Sequence, residues 1–205
     1  MSKIKHITIK DNEPFLRQVS NPVIFPDKEL ENDIKNIEEY LNNTDIAMAL
    51  ASVQIGIAKR IVYLRVTNLN RANQGEYNGY NEARILINPV VISREGLTEF
   101  WEACDSCLDY FGHVKRPYKI VVEYQDANGD KHTTTFEGFE STVLSHELDH
   151  LDGILHIDIA DEILIMNHEE RVEFRKTHGY NIISKTGKYE DLVQGITSDS
   201  KKSYH

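Results

Sequence analysis

Two histidines and a glutamate within SHELDHLDG (145 to 153) have the spacing of a metal-binding helix. His146 and His150 are four residues apart, so on a helix they project from one face, about one turn apart, and their imidazoles can share an ion. Glu147 follows the first histidine and can reach a water bound to that ion, which is the role of the glutamate in HExxH hydrolases. The pattern therefore predicts metal-dependent hydrolysis.

The third ligand of this site has three kinds of candidate in the sequence. His156 completes the string HExxHxxGxxH of metzincin proteases, with Gly153 as the turn, although Met166 matches their Met-turn poorly. A downstream carboxylate is the second kind, from Glu162, Glu169 or Glu170. The third kind is a thiolate from Cys104 or Cys107. One thiolate with two imidazoles leaves a tetrahedral position open for water, whereas both thiolates would close a structural site. HExxH followed by an immediate glycine favours the open, catalytic site.

Length, charge and cysteine content narrow the class of protein. A chain of 205 residues suffices for one domain that buries around 70% of its unfolded surface without disulfides. The two cysteines and the absence of an apolar stretch in MSKIKHITIK predict a protein of the reducing cytoplasm, not of a membrane. The net charge of −10 opposes contact with a phosphate backbone and predicts no specific nucleic-acid binding. Lys201–Lys202 is a local basic pair that is compatible with association with the ribosome.

Periodicity and turn residues predict the elements that position these side chains. The segment DKELENDIKNIEEYL after Pro26 has one apolar stripe, which predicts a surface helix with Asp27 as its N-cap. Strands are predicted at 60 to 66, 84 to 88, 119 to 124 and 132 to 136. Asn128-Gly129, between the last two strands, predicts a hairpin.

The HExxH helix is expected to run from about Gly138 to Asp152, with Gly153 as its C-terminal stop, and a last helix to occupy residues 161 to 177. The predicted fold class is α+β, with antiparallel sheets packed around this central helix in a single domain, residues 1–187. The polar stretch TNLNRANQGEYNGYNE (67 to 82) is interpreted as a surface insertion, and residues 188–205 as a polar, poorly ordered tail.

Three motifs give the chain a resemblance to the peptide deformylase family. That family carries GxGLAAxQ, EGCxS and QHExDHLxG; here the corresponding stretches are AMALASVQIG (47 to 56), EACDS (102 to 106) and SHELDHLDG. In the family the metal cysteine lies twelve residues before the arginine of Val-x-Arg. Cys104 has this spacing to Arg116, and Cys107 does not. INP (87 to 89) and GILHID (153 to 158) extend the resemblance across roughly residues 10 to 160.

The resemblance implies a metal hydrolase that removes the formyl group from formyl-methionyl nascent peptides and releases formate. It makes Cys104, His146 and His150 the ligands of one divalent metal ion. The family implies Fe(II), although Zn, Ni and Co also accept one thiolate and two imidazoles. Cys104 is thus the third ligand that this resemblance selects from the candidates above.

The same resemblance assigns catalytic roles to three further residues. Glu147 is the general acid and base, and the Gln54 side chain and the Asp105 N–H stabilise the oxyanion. It places the substrate against Met48, Ala49 and Ala103, and its first side chain in a pocket formed by Phe100, Trp101, Phe139, Thr142 and Val143.

The departures from the family pattern lie where the peptide is expected. Alanine replaces glycine at Ala47, Ala49 and Ala103, and Ser145 replaces glutamine. Each alanine adds a methyl group near the expected peptide strand, and AMALA favours a helix where the family has an extended segment. Three alternatives therefore stand beside a formyl-methionyl deformylase: a paralogue acting on another N-formyl amine, an inactive peptide binder, and a metzincin-like endopeptidase.

Overall fold

Eight strands form one connected sheet in a computed structural model that describes residues 4–44, 48–64 and 83–194. The strands are β1 (Ala49–Ala51), β2 (Ile61–Leu64), β3 (Arg84–Ala103), β4 (Tyr110–Arg116), β5 (Lys119–Gln125), β6 (Lys131–Glu137), β7 (Glu162–Ile165) and β8 (Asn181–Lys188). The helices are α1 (Ile9–Leu16), α2 (Leu30–Asn42), α3 (Phe139–Leu151), α4 (His156–Ile159) and α5 (His168–Arg175). This is the predicted α+β class in a single domain.

The 20-residue strand β3 is the centre of the sheet. It pairs with β2, β4, β5 and β8, all antiparallel. Beyond these, β1 pairs with β2, β7 with β4, and β6 with β5, again antiparallel. Gly96 has φ +70°, and a Cβ there would lie 2.5 Å from the Ser184 carbonyl oxygen. Glycine thus permits the close approach of β8 where its register with β3 shifts.

Local sequence patterns predict part of this sheet. The strands predicted at 60 to 66, 119 to 124 and 132 to 136 are confirmed as β2, β5 and β6, and Gly129 has φ +88° in the predicted hairpin turn. The strand predicted at 84 to 88 is only the start of β3, and β4, β7 and β8 were not predicted.

The apolar stripe after Pro26 forms α2, which packs against residues of β1, β2 and β3. The prediction of Asp27 as N-cap is wrong, because the N-cap is Glu29 and the helix begins at Leu30. The Asp27 carboxylate instead accepts from the Glu29 N–H and pairs with Lys59 Nζ at 2.8 Å. It is therefore engaged in a turn before the helix begins.

Helix α3 carries HExxH and lies over the sheet, as predicted. Leu144, Leu148 and Leu151 lie in the main core cluster with residues of β2, β3, β5 and β6, and burial of each contributes about 2 kcal/mol. At 100° per residue, both histidines of HExxH lie on the opposite side of the helix from these leucines. The leucine face therefore fixes the direction of the histidines.

Gly153 ends α3 for a steric reason as well as a conformational one. Its φ is +74°, and a Cβ there would lie 2.2 Å from the Arg17 carbonyl oxygen. A side chain at this position would displace the segment that follows α1. The glycine of the third motif is thus required by packing against the N-terminal part of the chain.

The helix predicted over 161 to 177 is wrong in its first part. Residues Glu162–Ile165 form β7, which pairs with β4, and α5 begins only at His168. Asn167 caps this helix: its side chain accepts from the Glu170 N–H, and the Glu170 carboxylate accepts from the Asn167 N–H. Pairing of the apolar run EILI with β4 therefore outweighed its helical periodicity.

The boundaries of the predicted domain, insertion and tail remain predictions. Residues 67–82 lie outside the described residues, as do 195–205. Within the predicted tail, residues 189–194 are helical, and the Tyr189 hydroxyl donates to the Lys115 carbonyl at 3.0 Å. In the described part of the chain, no helix has the length and apolar character needed to span a membrane.

Candidate active site

A thiol and two imidazoles converge where β3 ends over α3. Cys104 follows the last residue of β3, and His146 and His150 project from α3. Their ligand atoms all lie within 4.8 Å of one another, and Cys104 Sγ is 3.3 Å from His150 Nε2. One sulfur and two nitrogens at this separation fit a divalent ion with one coordination position left for water or substrate. The described residues contain no other group of three such donors.

His146 is oriented by a buried ion pair. Its Nδ1 lies 2.9 Å from Glu102 Oε2, and Arg116 donates to the same carboxylate from Nε and Nη2 at 2.9 and 3.0 Å. Burial opposes ionisation of Glu102, but the Arg116 charge and the contact with His146 outweigh it and hold the pKa of this carboxyl well below its usual range. With Nδ1 engaged by Glu102, Nε2 is the His146 nitrogen that would bind a metal ion.

The competing third ligands lie outside this group. Cys107 is fully buried among Leu16 and Leu155. His156 is also buried, and its Nε2 lies 3.3 Å from the Tyr110 carbonyl oxygen. Of the downstream glutamates, Glu170 serves in the cap of α5. The arrangement thus differs from the three-histidine pattern of metzincins.

Glu147 lies on the flank of α3 next to the metal group. Its side chain is buried, and Oε2 accepts from the backbone N–H of Ala51 at 2.8 Å. Burial raises the pKa of Glu147 to about 7, because a carboxylate is poorly solvated there. The strand β1 therefore holds the carboxyl group in place beside the ligands.

Gln54 and Asp105 flank Cys104 from two different elements. Gln54 Nε2 lies 3.5 Å from Cys104 Sγ and 3.3 Å from Ser106 Oγ, and the Gln54 side chain is buried. Asp105 follows the cysteine and begins the 3-10 helix Asp105–Cys107. Both residues line the cleft that opens over the metal group.

The expected substrate-contacting residues line this same cleft, with one exception. The lining includes Met48, Ala49, Phe100, Ala103, Phe139, Thr142 and Val143. The Phe100 and Phe139 rings meet edge to face, with centroids 5.2 Å apart. Trp101 is not part of the lining, because it points to the other face of β3 and packs on Phe111 and Phe174. Its prediction as a pocket residue is wrong.

Several residues of the cleft were missed by sequence reasoning. They are His6, Tyr40, Glu102, His168, Arg171 and Arg175. Glu102 had a signal, since it opens the EACDS motif and a buried acid near a ligand histidine commonly orients it. The others lie on the N-terminal segment, α2 and α5, and local patterns contain no information on how these distant segments meet.

Comparison with known proteins agrees with this geometry. A family model described as polypeptide deformylase matches residues 4–164. Peptide deformylase 2 of Clostridium acetobutylicum is 34% identical over 161 residues, which cover 78% of this chain and 98% of that protein. The peptide deformylase of Rhizobium meliloti is 36% identical over 155 residues, 74% of this chain and 82% of the relative.

Solved structures show the same similarity. The peptide deformylase from Thermotoga maritima superposes with a TM-score of 0.66 at 28% identity, covering 79% of this chain and all (100%) of the other. A probable peptide deformylase from Synechococcus phage S-SSM7 is 33% identical, with a TM-score of 0.63 over 76% of this chain and 98% of the other. From its motifs, its metal group and these relatives, the chain belongs to the peptide deformylase family of metal-dependent amide hydrolases.

Proposed function

We propose that the protein removes the formyl group from N-formyl-methionyl peptides, producing formate and a free amino terminus. One observation carries the proposal: Cys104 and His146 of the Cys-His-His metal group line a single cleft together with the Glu147 carboxyl and the Gln54 amide. We further propose Fe(II) as the metal, from the family resemblance. The same donor set also accepts Zn, Ni and Co.

Three residues of the cleft have separate roles in the reaction: Glu147 transfers protons, and Gln54 and Asp105 stabilise the oxyanion. A bound ion would activate a water and polarise the formyl oxygen. Glu147 takes a proton from the attacking water and gives it to the departing amine as the C–N bond breaks. The formyl carbon leaves as formate, and the peptide leaves with a free amino group. Gln54 Nε2 and the Asp105 N–H donate hydrogen bonds to the oxygen that gains negative charge.

The cleft offers an extended peptide a strand to pair with. Within the described residues, β1 has a strand partner on one edge only, which is β2. A peptide bound along the other edge can form main-chain hydrogen bonds beside Met48 and Ala49. Its first side chain then enters the apolar part of the cleft, between Phe100, Phe139 and Val143.

The cellular setting follows from the chemistry of the site. Both cysteines are free, and Cys104 must stay reduced to bind a metal. We therefore propose that the enzyme acts in the reducing cytoplasm, on nascent chains near the ribosome. Association with the ribosome is proposed because nascent chains are the expected substrate and Lys201–Lys202 is a local basic pair.

Formate release tests the proposal directly. Anaerobically purified, Fe(II)-loaded protein is expected to release formate from formyl-Met-Ala-Ser. It should act neither on acetyl-Met-Ala-Ser nor on internal bonds of a longer peptide. A panel with formyl-Leu, formyl-Phe and formylated amines tests the paralogue alternative, since Phe100 and Phe139 shape the pocket. Tight binding of formyl peptides without formate release would instead identify an inactive peptide binder.

A further inference from the structure

A chain of hydrogen bonds runs from helix α2 to the oxyanion residue Gln54. The Tyr40 hydroxyl lies 2.9 Å from His6 Nδ1, and His6 Nε2 lies 2.8 Å from Ser106 Oγ. Ser106 Oγ in turn lies 3.3 Å from Gln54 Nε2. Ser106 is fully buried, whereas Tyr40 and His6 are partly buried and line the cleft. Four separate segments of the chain thus meet in one line.

The direction of each hydrogen bond in this chain follows from Gln54. Its Oε1 lies 3.0 Å from the Ala51 N–H, which donates to Gln54 and Glu147 together and cannot accept, so Nε2 must face Ser106. Ser106 Oγ therefore accepts from Gln54 and directs its own hydrogen to His6 Nε2. Neutral His6 then carries its proton on Nδ1 and donates to the Tyr40 hydroxyl.

The N-terminal segment is fixed to Gln54 by its backbone as well. The Ile7 N–H donates to the Gln54 carbonyl at 2.7 Å, and the His6 and Tyr40 rings lie 5.6 Å apart. Ile7 also packs against the apolar cluster that contains Cys104. The imidazole is thus held on both sides and cannot swing away without breaking this packing.

We propose that His6 and Tyr40 are positioning residues for Gln54, acting through Ser106; this inference rests on the proposed deformylation. Gln54 Nε2 donates one hydrogen to Ser106 Oγ and lies 3.5 Å from Cys104 Sγ, so its second hydrogen is held next to the metal ligand, where the oxyanion would form. Donors that are fixed before the reaction stabilise a developing charge more than donors that must reorient. Removal of His6 frees the Ser106 hydroxyl to rotate, so the amide keeps the contact of Oε1 with Ala51 but loses a fixed acceptor for Nε2.

Kinetics of a double-mutant cycle test the proposal. In His6→Ala, we expect kcat to fall about tenfold with KM within about twofold of the parent, and His6→Gln should recover part of the loss because its amide oxygen can accept near the place of Nε2. Tyr40→Phe keeps the ring and should lose less. Tyr124→Phe is the matched control, since its hydroxyl pairs with Thr134 on the distant hairpin and its loss should leave kcat unchanged.

The Gln54→Ala background separates positioning from direct substrate contact. If His6 acts only through Gln54, His6→Ala should cause no further loss in Gln54→Ala protein. A tenfold loss that persists in this background shows that His6 contacts the substrate itself and overturns the proposal, as does an unchanged kcat in His6→Ala alone. Thermal unfolding and metal content of each variant identify losses caused by misfolding.

Nitrogen NMR of Zn-loaded protein gives a measurement that does not depend on activity. Long-range ¹H–¹⁵N spectra should show His6 as the Nδ1–H tautomer, assigned by loss of its signals in His6→Gln. An Nε2–H tautomer reverses the hydrogen-bond chain and overturns the inference. Absence of formate release by the parent protein would refute the proposed function instead, and the tautomer would still decide the arrangement around Gln54.

Discussion

Cys104 and Cys107 are three residues apart in the sequence and occupy different surroundings. Cys104 Sγ faces His150 Nε2, whereas Cys107 is buried among apolar side chains. We therefore expect Cys104→Ser to lose most of its metal and all measurable formate release. Cys107→Ser should keep the ion, although a buried hydroxyl costs about 1 to 3 kcal/mol of stability. Elemental analysis after anaerobic purification measures the metal content of both variants, and a formate assay measures their turnover.

Elemental analysis also tests the two alternative ligand sets, one with both cysteines and one with three histidines. His156→Ala should retain the ion, because the His156 imidazole is outside the ligand group and close to the Tyr110 carbonyl. Equal metal loss in both cysteine variants would indicate a closed site with two thiolates. Metal loss in His156→Ala together with retention in Cys104→Ser would favour the metzincin pattern.

Substitution of Glu147 should lower turnover without changing the metal occupancy. In Glu147→Gln the amide keeps the volume of the side chain but cannot accept the proton of the attacking water. We expect full metal occupancy and a fall in kcat of about two to three orders of magnitude. Near-parental turnover would mean that another group moves the proton. Asp149 is a weak substitute, because its carboxylate is paired with Arg116.

At the scale of elements, the alanines of the first two motifs lie on strands that border the cleft. Ala49 begins β1 and Ala103 ends β3. Neither has a positive φ, so the backbone does not require glycine at either position. Any effect of the two methyl groups on a bound peptide is therefore steric.

Ala49→Gly combined with Ala103→Gly should raise kcat/KM on formyl-Met peptides, chiefly by lowering KM. About tenfold is expected, equivalent to roughly 1.4 kcal/mol, for a peptide strand relieved of one close contact. Each glycine should lower stability by about 0.5 to 1 kcal/mol. A folded, metal-loaded double variant with unchanged kcat/KM on every formyl peptide would show that the methyl groups do not narrow the cleft. Phe100 and Phe139 would then be the remaining determinants of substrate choice.

Elements with local signals could be predicted from the sequence, and elements made by distant pairing could not. The β5–β6 hairpin has its turn glycine, and α3 has its leucine stripe and Gly153. AMALA favours a helix by propensity, yet Ala49–Ala51 are extended because they pair with β2 and are largely buried. Likewise EILI became β7 by pairing with β4, and only the Asn167 cap marked the true start of α5.

At the scale of the whole molecule, the active site also combines residues with local sequence signals and residues brought together only by the fold. The metal group is carried by short motifs, so its members could be named before the structure. His6 and Tyr40 reach Gln54 from the N-terminal segment and α2, and no spacing rule relates them to SHELDHLDG. The polar chain around Gln54 is therefore a product of the complete fold.

The metal should stabilise the whole fold, because its ligands join the end of β3 to α3 across 42 residues of sequence. An ion at about one hundred times its dissociation constant adds roughly 2.7 kcal/mol if it binds only the folded chain. For a protein of this size that corresponds to a rise in Tm of about 5 to 10 °C. Calorimetry of Zn-loaded and chelator-treated protein measures the difference. Cys107→Ser should show the same shift and Cys104→Ser almost none; an equal shift in Cys104→Ser would mean that the stabilising ion is bound elsewhere.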